Sequence, residues 1–197
     1  MSRIVLVRHG QSTWNAVRRW QGQADPPLSE LGEQQAAAAT VDEPSIVRIW
    51  ASPLLRARRT AEILGASLGL PVVLDARLME RHVGEWTGLT AAEIEEGWPG
   101  YLSGYQHPEG FETDDLLLAR SLPVLEEIAA DAAGQSVLVV THGGWIRALE
   151  RKLQGRGPPL SNLGGRVVEW TDGELVLGDR VLLLDPDAVE VTTPRQL

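Results

Sequence analysis

Residues 3–10, RIVLVRHG, form an apolar run that ends in arginine, histidine and glycine, and residues 136–144, SVLVVTHGG, end in the same way with histidine and glycine. Neither run alternates apolar with polar residues, so each reads as a strand buried on both faces, the habit of a parallel sheet. The stretch SIVRIWAS at residues 45–52 reads the same way. Helical patterns lie between these strands. SELGEQQAAAATV begins at Ser29, and SPLLRARRTAEILGASLG begins at Ser52, where Ser52 is placed to cap and Pro53 suits the first helical position. TAAEIEE has Thr90 and Glu93 at the spacing of a capping box, and a longer helix is expected from about Thr113 to Ala132. Strands alternating with helices predict an α/β fold, a three-layer α/β/α sandwich around a mostly parallel sheet. The segment GGRVVEWTDGELVLGDRVLLLD, residues 164–185, predicts two short strands joined at Asp172-Gly173 and then a third, as antiparallel edge strands. Loop residues concentrate at 97–110, rich in Gly, Pro and Tyr.

The chain has 197 residues, 43% of them hydrophobic, enough for one sizeable core, and a single domain over 1–197 is expected. No apolar stretch approaches the roughly 18 to 20 residues of a membrane span, and the first residues run into a strand rather than a signal pattern, so a cytoplasmic, non-membrane protein is expected. The absence of cysteine excludes disulfides and thiolate metal sites. A net charge of −9 argues against nucleic acid as a partner, because duplex binding usually needs clustered basic residues to displace counterions. Lys152 is the only lysine among 18 basic residues. Arginine is the side chain suited to bidentate recognition of phosphate, so the positions of individual arginines matter.

In a parallel sheet His9 and His142 both emerge at carboxyl ends of strands, the edge at which open α/β folds bind ligands. The glycines after them suit tight turns that bring backbone N–H groups close to a ligand. A zinc site wants a third ligand and commonly a His-x-x-x-His spacing, which does not occur here. Neither Gly-x-Ser-x-Gly nor a Gly-x-x-x-x-Gly-Lys-Ser/Thr loop occurs. What remains is histidine as the nucleophile itself: a neutral imidazole attacks phosphorus if its other nitrogen is held and the phosphoryl oxygens are neutralised by arginine. Arg8 adjoins the first histidine, and Arg56 falls in the first turn of a helix whose N-terminus already favours an anion.

These residues resemble the histidine phosphatase superfamily, the phosphoglycerate mutase-like enzymes. The resemblance rests on five ordered segments: LVRHGQSTWN (6–15), QGQADPPLSELGEQQA (21–36), ASPLLRARRTAEIL (51–64), RLMERHVGEWTGLT (77–90) and VLVVTHGGWIRAL (137–149). A weaker echo is GFETDDLLLAR, with Phe111 where the family usually has glycine. The resemblance implies that His9 becomes a phosphohistidine and that Arg8, Arg56 and His142 grip the phosphoryl group. It further implies that Glu80 gives a proton to the leaving oxygen. Asn15, Gln11, Gly143, Gln21, Gly22, Arg81 and His82 are the implied substrate-binding residues, and no metal or other cofactor is implied. His107 is equally an ordinary loop residue, while Trp98, Tyr101 and Tyr105 are placed to shape a lid.

The segment ERHVG is similar to the mutase version of the acid motif, so a phosphoglycerate mutase is an alternative. Against it, the long basic insertion of the mutases is missing, no lysine or arginine lies between Arg81 and Arg120, and Val83 replaces the mutases' tyrosine. A non-catalytic binder of phosphorylated ligands is the other alternative, but binding alone needs no proton donor such as Glu80. Hydrolysis of a small phosphorylated metabolite is therefore the favoured expectation. The C-terminal strands offer either an edge for a homodimer or a covered edge within a monomer.

Overall fold

The computed structural model describes residues 1–43 and 45–194. Six strands form one sheet: β1 (Ser2–Arg8), β2 (Ile46–Ala51), β3 (Val72–Leu74), β4 (Ser136–Thr141), β5 (Gly164–Thr171) and β6 (Glu174–Leu182), in the order β3-β2-β4-β1-β5-β6. The first four are mutually parallel, and β5 and β6 add antiparallel pairs at one side. The helices are α1 (Thr13–Ala16), α2 (Glu30–Ala38), α3 (Leu55–Leu68), α4 (Ala91–Gly97), α5 (Asp114–Asp131) and α6 (Gly143–Lys152).

The near-continuous apolar runs of β1 and β4 are explained by helices on both faces. Ile4, Leu6, Val137 and Val139 point into a core with Leu117, Leu125 and Ile128 of α5 and Trp145, Ile146 and Leu149 of α6. Val5, Val7, Leu138 and Val140 point the other way, onto Ala57, Ala61 and Leu64 of α3. Each strand therefore alternates between two buried faces rather than between core and water. β2 is less covered than expected, with only Ile49 and Ala51 buried, because it lies beside the three-residue β3 toward the sheet edge. A third cluster, Trp20, Val83, Trp86 and Ile94, is joined by Leu102 and Phe111 and also takes up Trp98 and Tyr101 from the lid-like loop.

Three local expectations are corrected. The helix expected from Ser52-Pro53 begins at Leu55; Ser52 Oγ accepts from Leu54 N–H at 3.3 Å, and the Leu55 N–H is capped across the chain by Asp25 Oδ1 at 2.6 Å. The two strands expected after the Asp172-Gly173 turn are one strand, β6, with an extra residue between Leu177 and Arg180 opposite β5. Such a bulge bends a strand without ending it. The short strand β3 had no counterpart in the sequence reading. The capping box of Thr90 and Glu93 and the start of α5 at Thr113 are as expected.

The first turn of α2 lies directly against the turn that follows β1. A Cβ at Gly10 would stand 2.7 Å from the Gly32 carbonyl oxygen, and one at Gly32 would overlap the Gln11 carbonyl. Gly32→Ala sets two effects against each other: alanine favours a helix interior by about 1 kcal/mol, whereas overpacking against fixed backbone costs about 3 kcal/mol. The clash dominates, so Gly32→Ala is expected to lower the melting temperature by several degrees, measured by calorimetry; an unchanged or raised value would contradict this close approach.

Candidate active site

β1 and β4 are hydrogen-bonded neighbours with Arg8 opposite Thr141, so the residues that follow them emerge side by side. The His9 N–H donates to Thr141 O at 3.1 Å, and the His9 and His142 rings lie 5.2 Å apart between centroids at 63°. The chain leaves β1 toward β2 on one side of β4 and leaves β4 toward β5 on the far side of β1. The pair therefore sits at the switch point where open sheets bind ligands.

His9 is 2% exposed. Its Nδ1 lies 2.6 Å from the Gly10 carbonyl oxygen, which only accepts, so Nδ1 carries the proton. Nε2 is left with its lone pair and accepts from Arg56 Nε at 3.2 Å. Burial, then the charges of Arg56 and Arg8, push the His9 pKa well below its usual 6.5. The ring is neutral at neutral pH. His142, at the start of α6, is fully buried and likewise held well below its usual value, first by burial and then by Arg56. Its Nε2 is 2.8 Å from Ser52 Oγ, which explains why Ser52 does not cap α3. Its Nδ1 has no hydrogen-bond partner among the described residues.

Two buried guanidiniums flank His9. Arg56 donates from Nη1 to Ala24 O and from Nη2 to Gly22 O, both at 2.8 Å. Arg8 donates from Nη1 to Leu160 O at 2.8 Å and to Pro194 O at 3.3 Å. Burial lowers each pKa to about 10, which leaves both charged at pH 7. Arg8 Nε and Asn15 Nδ2 have no hydrogen-bond partner among the described residues. Both residues line the cavity that also holds His9, Gln21, Gly22, Arg56, Glu80, Gly143 and Gly144. Gly143 fits because Arg8 lies against it: a Cβ there would stand 3.1 Å from Arg8 Nη1.

Glu80 reaches this cavity from the segment between the short 3-10 turns Ala76–Leu78 and Gly84–Trp86. One carboxylate oxygen accepts from Arg81 N–H and the other from Gly144 N–H, each at 2.9 Å. The neighbouring arginines are engaged elsewhere: Arg77 pairs with Asp75 and Glu127, and Arg81 with Asp114. Arg120, which the sequence reading passed over, braces the segment by donating to the carbonyls of Arg77, Met79 and Glu80.

Other expected site residues lie further out. Gln11 is outside the lining of the His9 cavity; its Oε1 accepts from Ser29 Oγ at 2.7 Å. Arg81 lines a neighbouring cavity of about 610 Å³ and stacks over Phe111 at 5.4 Å. His82 is exposed, with Nδ1 3.1 Å from Gly110 O and 3.0 Å from Gly84 N, and lines neither cavity. His107 stacks on Phe111 at 3.9 Å and lines the 610 Å³ cavity with Trp20, Trp86, Leu102 and Tyr105. Arg147 was missed, yet it lines both cavities, as do Trp20 and Gly144. Its spacing from Gly143 and Gly144 on α6 is the signal that places it on their face. Among the described residues no cluster of three or more His, Asp or Glu side chains is arranged to hold a metal ion, and no helix is long and apolar enough to cross a membrane.

Residues 4–177 match the sequence model of the histidine phosphatase superfamily (branch 1). The chain is 39% identical over 180 residues to a glucosyl-3-phosphoglycerate phosphatase of Mycolicibacterium vanbaalenii, covering 83% of this chain and 79% of that protein. It is 40% identical over 160 residues to a metal-independent phosphoserine phosphatase of Arabidopsis thaliana, covering 76% and 67%. A solved mycobacterial glucosyl-3-phosphoglycerate phosphatase, in complex with VO3, superimposes with a TM-score of 0.81 at 32% identity over 93% of this chain and 99% of that one. With its paired strand-end histidines and buried guanidiniums on one sheet edge, the chain belongs to the histidine phosphatase superfamily.

Proposed function

We propose that this protein is a metal-independent phosphomonoesterase that hydrolyses a small phosphorylated metabolite through a phosphohistidine on His9. The observation that carries the reading is the His9 ring itself, neutral, with Nδ1–H on the Gly10 carbonyl and the Nε2 lone pair turned to Arg56 within the cavity. In the first step Nε2 attacks phosphorus, the P–N bond forms, and the ester P–O bond breaks. The imidazole becomes positively charged, and its Nδ1–H remains on a carbonyl dipole that favours that charge. Arg8, Arg56, His142 and Asn15 hold the non-bridging oxygens, with the N-terminus of α6 behind them. Glu80, in its protonated form, gives its proton to the departing alkoxide. In the second step the Glu80 carboxylate takes a proton from water as the water oxygen attacks phosphorus, and the P–N bond breaks to release inorganic phosphate and the free imidazole.

The positive charge that a metal ion supplies in other phosphoryl-transfer enzymes comes here from two guanidiniums, and an Arabidopsis relative is named metal-independent. The 610 Å³ cavity opens onto the reaction centre at Trp20, Gly144 and Arg147 and is the natural room for the alcohol. Phosphoglycerate and phosphoserine esters are the first substrates to assay, because the relatives' names contain them.

His9→Ala is expected to abolish phosphate release from p-nitrophenyl phosphate and from a metabolite panel, with EDTA leaving the wild type unaffected; wild-type inactivity throughout would favour a binding protein. Glu80→Gln should slow alkyl phosphates by about 10²- to 10⁴-fold, within the range of general acid catalysis, and p-nitrophenyl phosphate by much less, since nitrophenolate leaves unaided. Equal losses on both would remove Glu80 from the acid role.

The histidines also set a pH dependence. Their folded pKa values lie below 6.5, so on acidification the unfolded chain takes up these protons first. The stability they contribute is fully present above about pH 6.5 and is lost as pH falls toward the folded values. The melting temperature should therefore fall between pH 6.5 and 5, and fall less steeply in His9→Asn; parallel curves for the two proteins would contradict a buried neutral His9.

A further inference from the structure

Gln35 sits in α2, fully buried, and takes no part in the chemistry described above. Its Oε1 accepts from the Gln11 N–H at 2.8 Å, and its Nε2 donates to Glu190 O at 2.8 Å and Thr192 Oγ1 at 3.1 Å. The amide orientation follows from its partners, since a backbone N–H only donates and a backbone carbonyl only accepts. Thr192 Oγ1 passes its own proton to Asn162 Oδ1 at 2.8 Å, and Asn162 Nδ2 donates to the His9 carbonyl at 2.9 Å. The Asn162 N–H also donates to Thr192 O at 2.9 Å. The result is a closed ring of amide and hydroxyl groups. It grips the histidine turn at the His9 carbonyl on one side and the Gln11 N–H on the other.

The Gln11 N–H and the Gly10 carbonyl belong to one planar peptide unit and point in opposite directions. Holding the N–H fixes the direction of the carbonyl, and that carbonyl accepts from His9 Nδ1 at 2.6 Å. We propose that Gln35 is a positioning residue: by holding the Gly10–Gln11 peptide, it keeps the proton of His9 on Nδ1 and the lone pair on Nε2, and the segment 190–192 locks Gln35 in place. Glutamine suits the position because one side chain presents an acceptor to the turn and a donor to the tail. The proposal rests on His9 being the nucleophile.

The test uses the full chain labelled with 15N-histidine, in which two-bond 1H–15N correlations report the tautomer of each ring; His9→Asn assigns the signal. Gln35→Met keeps length and volume but removes both polar atoms. It is expected to introduce a population of the Nε2–H tautomer at His9 and to lower kcat on p-nitrophenyl phosphate by about 10- to 100-fold, the usual loss when a partner that orients a reactive imidazole is removed, with KM within about twofold. Gln35→Glu retains an acceptor for the Gln11 N–H and should keep the Nδ1–H tautomer. Thr192→Val, which removes the hydroxyl shared by Gln35 and Asn162 but leaves the Gln11 N–H on Gln35, should keep it as well. A wild-type tautomer in Gln35→Met, an Nε2–H tautomer in Gln35→Glu, or a loss confined to KM would overturn the proposal. Should Gln35→Met fail to fold, Gln35→Leu, which also lacks the acceptor for the Gln11 N–H, is read in its place with the same expected and overturning results. Acid-labile phosphate trapped on His9 of the wild type is the separate check on the nucleophile: without it the phosphatase mechanism fails, whereas with it an unaltered Gln35→Met spectrum removes only the role of Gln35.

Discussion

The parallel pairing of β1 with β4 is the constraint from which the site follows. With Arg8 in register with Thr141, two histidines 133 positions apart are delivered to the same height on the sheet edge, and the glycine after each leaves room for a close neighbour, the Gly32 carbonyl at Gly10 and the Arg8 guanidinium at Gly143. That register is not free to slip. A shift of one residue in either strand would exchange its α3-facing and α5/α6-facing side chains and mispack both cores. The geometry of the histidine pair is thus tied to the apolar packing on both faces of the sheet.

A second constraint is electrostatic. Arg8 and Arg56 are buried, yet the groups that accept from them are neutral: the carbonyls of Leu160 and Pro194 in one case, and the carbonyls of Gly22 and Ala24 with His9 Nε2 in the other. Carbonyl dipoles meet the hydrogen-bonding demand of a guanidinium without cancelling its charge, so both positive charges remain available to an anion. The surface arginines are treated in the opposite way. Arg59 pairs with Glu33, Arg77 with Asp75 and Glu127, and Arg151 with Asp114. Asp114, where burial would raise the pKa, is nonetheless drawn down to about 2 by its hydrogen bonds to Arg151 and Arg81. A chain with a net charge of −9 can therefore maintain a positive site, because its carboxylates are spent at the surface and screening confines their reach to roughly 8 Å at physiological salt.

What was readable in the sequence divides along physical lines. His9, His142 and Arg56 were legible because their addresses are set by local patterns: a buried strand ending in His-Gly, and the first turn of a helix. Glu80 came only through the family resemblance, since its place beside Gly144 depends on two segments 64 residues apart. Arg120, Asn162 and Gln35 act through hydrogen bonds to residues distant in sequence, which leave no period or composition signal. Gln35 in particular lies in an ordinary helical pattern, QQAAAAT. The strand β3 was missed because three residues give too short a run for periodicity, and β6 was divided because Gly178 resembles a terminator when it in fact sits in a bulge. His82 has the family's sequence position but points its ring at Gly84 and Gly110, where it ties two turns together.

The hydrogen-bonding pattern at His9 also bears on why this chemistry needs burial. An imidazole in water near neutrality is partly protonated and exchanges its proton between two nitrogens, so only a fraction of rings presents a free lone pair at a given atom. Here desolvation and two adjacent cations remove the protonated form, and the Gly10 carbonyl selects one of the two neutral forms. Desolvation and the two cations disfavour positive charge on the ring, whereas the proposed attack on phosphorus would create that charge. Under the proposed mechanism a phosphate ester would relieve the conflict: its negative charge would fall on the same guanidiniums that depress the pKa of His9, and the penalty on a cationic ring would fall with it. On that reading the same two arginines would keep the ring unprotonated in the free protein and make it tolerant of charge in the complex.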